Sequence, residues 1–195
     1  MALPRFCSNC AAPLPHPPPV TCRSCDTSHW LDAKPCAGAL VNCRGRLMLV
    51  RRAHAPWRGS WDVPGGFCGP REHPRDAAAR EVREETGLSV EMGGVLGMWI
   101  DTYAPEGPEA DKVTLSIYFH ATVESPATTW TDPNEVAEIG WFAPEDLPTD
   151  VAFPGHIPEV LRAWRESPEA AARTPAAPAP ALRGVAQPRP AEPVV

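Results

Sequence analysis

Along residues 35–166 the apolar positions fall into short runs bounded by turn residues, which predicts strands, and into two stretches of helical spacing. CAGALVNC (36–43) and RLMLVRR (46–52) read as two strands joined by a tight turn at Arg44, Gly45 and Arg46. SWDVPGGF (60–67) reads as a short strand running into a Pro-Gly-Gly break. Pro74 to Thr86 is predicted to be a helix: proline suits its first turn, Asp76 its positive end, and Gly87 stops it. VEMGGVLGMWIDTY (90–103) and KVTLSIYFHATV (112–123) are two further strand regions around the polar loop APEGPEAD, and IGWFA (139–143) is another short strand. IPEVLRAWRE (157–166) closes the region as a helix with Ile157, Val160, Leu161 and Trp164 on one side. Helices interleaved with strands of one mixed sheet predict an α/β sandwich.

The pattern stops at both ends. From Ser167 to Val195 the chain has seven prolines, no aromatic residue and few large apolar ones. Such a segment buries too little surface to offset its ordering entropy, so 167–195 is expected to be a disordered tail. Residues 1–34 hold two cysteine pairs around the proline-rich stretch APLPHPPPV. The expected organisation is a small N-terminal module (1–34), one folded domain (35–166) and the tail.

Composition narrows the setting. The 195 residues are 43% hydrophobic and 22% charged, as in a globular protein that handles water well. The formal net charge of -6 does not advertise a nucleic-acid or membrane binder. A negative protein that handles phosphates needs local positive charge from arginines or bound metal. No apolar run reaches the roughly 20 residues of a membrane span, and MALPRFCSNC has no secretory apolar core, so cytoplasm is the expected location.

Cys7, Cys10, Cys22 and Cys25 form a C-x2-C-x11-C-x2-C arrangement, while Cys36, Cys43 and Cys68 are scattered. Two such knuckles present four sulfurs to one tetrahedral ion, and Zn2+ accepts that ligation with no open position. The expected role is structural, in a zinc ribbon too small to fold on its own core. A pair of disulfides is the competing reading. With only Arg5, Arg23 and Lys34 as positive charges, the segment argues against strong nucleic-acid contact.

Glu81, Glu84 and Glu85 raise a different question. At i, i+3 and i+4 they crowd one helical face, and two of them sit at the negative end of the helix. The plain reading is a solvated face compensated by Arg80 and Arg83. The surrounding spacing outweighs it: Gly66, five residues, Glu72, seven residues, then Arg80-Glu81-Val82-x-Glu84-Glu85-x-Gly87-Leu88. This fits every position of G-x5-E-x7-R-E-U-x-E-E-x-G-U, with U a bulky aliphatic, so the chain resembles the Nudix hydrolases from about Pro35 to Trp164. The N-terminal ribbon is similar to one found in some members of that family, among them NADH pyrophosphatases and proteins acting on ADP-ribose or FAD.

The resemblance implies a Nudix α/β/α sandwich with a mixed sheet, and a loop-helix-loop whose glutamates coordinate Mg2+ or Mn2+. It implies hydrolysis of a nucleoside diphosphate linked to another moiety. Glu81 and Glu85 are implied as ligands, with Glu84 a ligand or a holder of the attacking water. Arg80 would orient these carboxylates, Glu72 would brace the box loop, and Gly66 lets the backbone pass close to the ion. Glu138, three residues before Trp141, stands where related enzymes carry a further glutamate ligand, with Glu135 as its competitor. Arg51, Arg52 and Arg58 precede the box and could grip a phosphate, or could be plain exposed strand-end arginines.

Substrate choice lies outside the box. GMWIDTYAPEG replaces the array expected of an NADH pyrophosphatase, and Pro105 is one or two positions off the proline of ADP-ribose hydrolases. Three readings therefore stand: a hydrolase of ADP-ribose-like or dinucleotide diphosphates, a hydrolase of modified nucleoside triphosphates, and a ligand-sensing module without catalysis. A small-molecule nucleotide is the expected partner. Homodimers are common in the family, but no stretch of this sequence displays an interface.

Overall fold

The computed structural model describes residues 4–104, 106–107, 112–126 and 131–168. The expected tail from 169 onward and the proline at position 105 lie outside them. Two small strands, β1 (Val20–Thr21) and β2 (Ser28–His29), pair antiparallel in the N-terminal module and had no signal in the pattern. The main sheet is built from β3 (Lys34–Cys43), β4 (Arg46–Arg52), β5 (Trp61–Asp62), β6 (Gly65–Phe67), β7 (Glu91–Thr102), β8 (Val113–Thr122) and β9 (Val136–Phe142). Its order is β5-β4-β3-β8-β7, with β6 on β3 and β9 on β4. β3 and β8 run parallel and every other pairing is antiparallel, so the sheet is mixed as expected.

Helix α1 (Pro74–Thr86) covers one face and α2 (Ile157–Glu166) the other. The period-two geometry of the strands divides the core accordingly. Ala39, Val41, Met48, Val50, Phe119 and Ala121 meet Ala77, Ala78 and Val82 of α1. Leu40, Leu47, Leu49 and Tyr118 meet Ile157, Val160, Leu161 and Trp164 of α2. The architecture is the α/β/α sandwich that the sequence implied. Among the described residues no helix is long and apolar enough to cross a membrane.

One element departs from the pattern. Pro64, Gly65 and Gly66 were expected to be a break, yet Gly65, Gly66 and Phe67 form β6 opposite Gly38, Ala37 and Cys36. The hairpin of β3 and β4 is paired only at Asn42–Leu47 and Cys43–Arg46, so β3 has a free edge further back. Glycine fits there because a Cβ on Gly65 would lie 2.5 Å from the Ala37 carbonyl oxygen. This tight pairing delivers the chain straight into the loop ahead of α1.

Candidate active site

The start and stop of α1 are local chemistry. His73 is extended and its side chain accepts from the Arg75 amide, Pro74 occupies the first turn, and Gly87 takes the left-handed conformation at φ 71°. Ala77, Ala78 and Val82 dock against the sheet, and the same rotation turns Glu85 inward.

Arg80 organises the carboxylates. Its Nε and Nη2 donate to Glu72 at 2.8 and 2.9 Å, and Nη1 donates to Glu81 at 2.8 Å and Glu84 at 2.9 Å. Nη2 also donates to the Phe67 carbonyl, so all five N–H groups of the fork are engaged. Glu72 in turn accepts from the Gly69 amide at 2.8 Å, closing the loop on itself. These hydrogen bonds, from Arg80 first and Gly69 next, hold the Glu72 carboxyl down at about 2. At Gly66 a Cβ would stand 2.5 Å from Glu81 Oε1, so only glycine leaves this carboxylate its place.

The buried end of the cluster is electrostatically expensive. Glu85 is 9% exposed, and its Oε2 has no hydrogen-bond partner among the described residues. Burial drives its carboxyl well above the usual range, with Asp62, Glu81 and Glu135 adding repulsion. Burial also pushes Glu81 up against the pull of Arg80, and Asp62 up against Arg52, whose Nη1 lies 3.1 Å away. A buried carboxylate oxygen left unpaired beside other acids is a poor resting arrangement for a protein and a good one for a hard dication, which takes oxygen ligands. The residues present fit Mg2+ or Mn2+.

A pH dependence follows from these directions. A carboxyl raised in the fold contributes most stability below its unfolded value of about 4.3, and that contribution fades as pH rises towards the folded value. Glu72, held low, acts oppositely: its contribution is present above that unfolded value and is lost as pH falls towards about 2. Raising the pH from about 5 to about 8 is therefore expected to increase the rise in Tm that Mg2+ produces, because higher pH favours the ionised form of the raised Glu81 and Glu85 carboxyls. Thermal melts with MgCl2 or EDTA across that range check it; a pH-independent increment counts against these carboxylates as the site.

Glu81 and Glu85 line a cleft of about 270 Å3 with Arg52, Asp62, Glu135, Tyr103, Tyr118, Phe153 and His156. Arg52 is its only arginine or lysine among the described residues. The other expected residues lie around it. Glu84 stays on the outer side of Arg80, and Glu138 sits on β9 opposite Arg51, which donates to it at 3.3 Å. Arg51 lines no part of the cleft, and Arg58 is exposed in the loop after β4. Asp62, Tyr118, Phe153 and His156 were not singled out from the sequence. Asp62 had a faint signal, an acid inside the short strand SWD; the others come from distant segments and had none.

The second metal-compatible cluster is in the N-terminal module. The sulfurs of Cys7, Cys10, Cys22 and Cys25 all lie within 4.8 Å of one another, with Cys7–Cys25 and Cys10–Cys22 at 3.6 Å. Zn–S bonds of about 2.3 Å in a tetrahedron separate sulfurs by about 3.8 Å, so four thiolates here fit zinc. The pairs come from different knuckles and all four thiols are free, so the disulfide reading has no support here. His29 Nε2 approaches Cys7 Sγ at 3.3 Å, a supporting contact that spacing did not reveal.

A family model, that of the NUDIX domain, matches residues 34–163. A MutT-like protein of Streptomyces ambofaciens is 33% identical over 121 residues, covering 57% of this chain and 71% of its own. The CTP pyrophosphohydrolase of Escherichia coli is 31% identical over 127 residues, 59% of this chain and 87% of that protein. Among solved structures, a NUDIX hydrolase from Nitrosomonas europaea superposes with a TM-score of 0.67 at 26% identity, covering 83% of this chain and 90% of that one.

Proposed function

The chain belongs to the Nudix family and is a hydrolase of that family, and on that premise we propose that it cleaves a pyrophosphate bond with Mg2+ or Mn2+. The substrate class is a nucleoside diphosphate linked to another moiety, ADP-ribose-like or a dinucleotide. The observation that carries the reading is Glu85: a buried carboxylate with an unpaired oxygen, beside Glu81, at the acidic end of a cleft whose other wall is aromatic.

Glu81 and Glu85 would hold the dication, with Glu84 nearby on the outer side of Arg80. Glu135, and Glu138 when its pair with Arg51 opens, supply the further carboxylate from the β9 side. The bound ion would supply charge neutralisation of the diphosphate and acidification of the attacking water. Everything else falls to the chain. Arg80 keeps Glu81 and Glu84 oriented, Glu72 pins Arg80, and Gly66 leaves room for the Glu81 carboxylate. Arg52, paired with Asp62 inside the cleft, meets phosphate, and Glu84 or Glu135 accepts the proton of the water. Arg51 and Arg58 are assigned a supporting role at the cleft's outer edge. Residues 1–34 form the zinc ribbon, 35–166 the hydrolase domain and 167–195 a tail.

A second reading, hydrolysis of nucleoside triphosphates, is favoured by the 31% identity to a CTP pyrophosphohydrolase. Turnover of ADP-ribose, NADH, FAD, diadenosine polyphosphates and dNTPs, with Mg2+ and Mn2+, separates the two by products. Two phosphorylated products from a linked diphosphate support the first reading. Release of pyrophosphate from dNTPs alone supports the second, and inactivity across the panel would mean a binding module.

A further inference from the structure

Three residues distant in sequence meet at the aromatic end of the cleft. Asp101 near the end of β7 has Oδ2 2.9 Å from Nδ1 of His156, which stands just before α2. The other ring nitrogen, Nε2, lies 2.8 Å from the hydroxyl of Tyr118 on β8. His156 is 3% and Tyr118 6% exposed, and both line the cleft. Gly155 belongs to the same construction, because a Cβ there would stand 2.6 Å from the Asp101 carboxylate.

The chain of hydrogen bonds sets the polarity of Tyr118. A carboxylate only accepts, so Asp101 requires the proton of a neutral imidazole to sit on Nδ1. Nε2 is then an acceptor, and the Tyr118 hydroxyl must spend its single proton there. What remains for the cleft is a lone pair: Tyr118 can accept from a ligand and cannot donate to it.

The surroundings indicate which part of a nucleotide this oxygen meets. The rings of Phe67 and Tyr103 are 5.5 Å apart, Tyr103 and Phe153 5.9 Å, and Phe153 and His156 5.8 Å, a continuous rim that ends at Tyr118. Such a wall suits a planar base, and Arg52, 5.2 Å over the Phe153 ring and 3.1 Å from Asp62, links it to the carboxylates that suit phosphate and cation. We infer that Tyr118, held by His156 and Asp101, is a specificity-determining residue that selects bases bearing an exocyclic amino group, adenine or cytosine, over their keto counterparts. Hypoxanthine and uracil place a carbonyl where the amino group would be, and a carbonyl facing the Tyr118 lone pair is repelled and left unpaired.

The inference rests on the cleft being the nucleotide site proposed above, and binding separates it from catalysis. Titration calorimetry at about pH 8, well above the ordinary imidazole range, compares AMP with IMP and CMP with UMP. The wild type is expected to bind the amino-bearing partner of each pair about tenfold more tightly. Tyr118→Phe, which removes one oxygen, is expected to bring AMP down to the IMP level without weakening IMP. Asp101→Asn frees the tautomer of His156 and is expected to narrow the preference, whereas a purely structural role weakens both ligands alike. Equal binding of AMP and IMP by the wild type, or an undiminished preference in Tyr118→Phe, overturns the inference. Discrimination without turnover of any substrate sinks the hydrolase reading and leaves this one standing.

Discussion

Glu85→Gln is expected to lower kcat by at least ~100-fold, the scale of losing a principal electrostatic stabiliser, while the protein remains folded. The substitution is nearly isosteric and removes an ionisable group from a site where burial and three neighbouring acids already resist its charge. In the metal-free protein it should therefore cost little stability, and Tm without divalent cation is expected to hold or rise. What it removes is the oxygen ligand with no partner in the protein, so the Mg2+-induced rise in Tm should shrink along with kcat. The two readouts together identify the cause. Near-normal turnover at saturating Mg2+ would falsify the assignment of Glu85, and lost activity with an unchanged Mg2+ increment would place its role elsewhere.

Cys22→Ser is expected to abolish stoichiometric zinc and unfold the N-terminal module, leaving the sandwich intact. Cys22 is 1% exposed and its sulfur lies 3.6 Å from that of Cys10. Among the described residues around the four thiols, the module buries only Val20 and the cysteines Cys7 and Cys22 of its hydrophobic side chains, too little to replace a metal. Structural zinc in small modules contributes about 10–16 kcal/mol of apparent binding energy, enough to supply most of a small module's folding energy. Neither of the two sandwich cores contains a residue from the module, so its melting transition is expected to stay. Metal analysis together with protease sensitivity of residues 4–33 checks this. Full zinc content in the serine variant, or collapse of the main transition, would count against an independent structural site.

The zinc and box clusters differ in how the sequence encodes them. Cys7, Cys10, Cys22 and Cys25 could be assigned from spacing alone because each knuckle is made by adjacent residues, and only the approach of His29 needed coordinates. Glu72, Arg80, Glu81, Glu84 and Glu85 were legible for a similar reason, since helical period and one short loop dictate which of them are neighbours. The direction of each carboxylate was less legible. Glu85 goes inward and Glu84 outward because α1 docks through Ala77, Ala78 and Val82, and that docking face is a property of the sheet beneath it.

Residues joined by long-range pairing were beyond a local reading. Pro64, Gly65 and Gly66 looked like a break because glycine weakens a strand, yet the open edge of β3 gives the two glycines a partner. Spacing to Trp141 favoured Glu138 over Glu135; the β4–β9 register sets Glu138 opposite Arg51, while Glu135 lines the cleft. The sequence by itself determined the long strands, both helices and the spacing of the cysteine knuckles, because all of these follow from near neighbours. Only the tertiary structure decided the cleft and its polarity. Asp101, Tyr118 and His156 come from β7, β8 and the start of α2, and nothing in a one-dimensional pattern encodes the packing that aligns three such segments into one chain of hydrogen bonds.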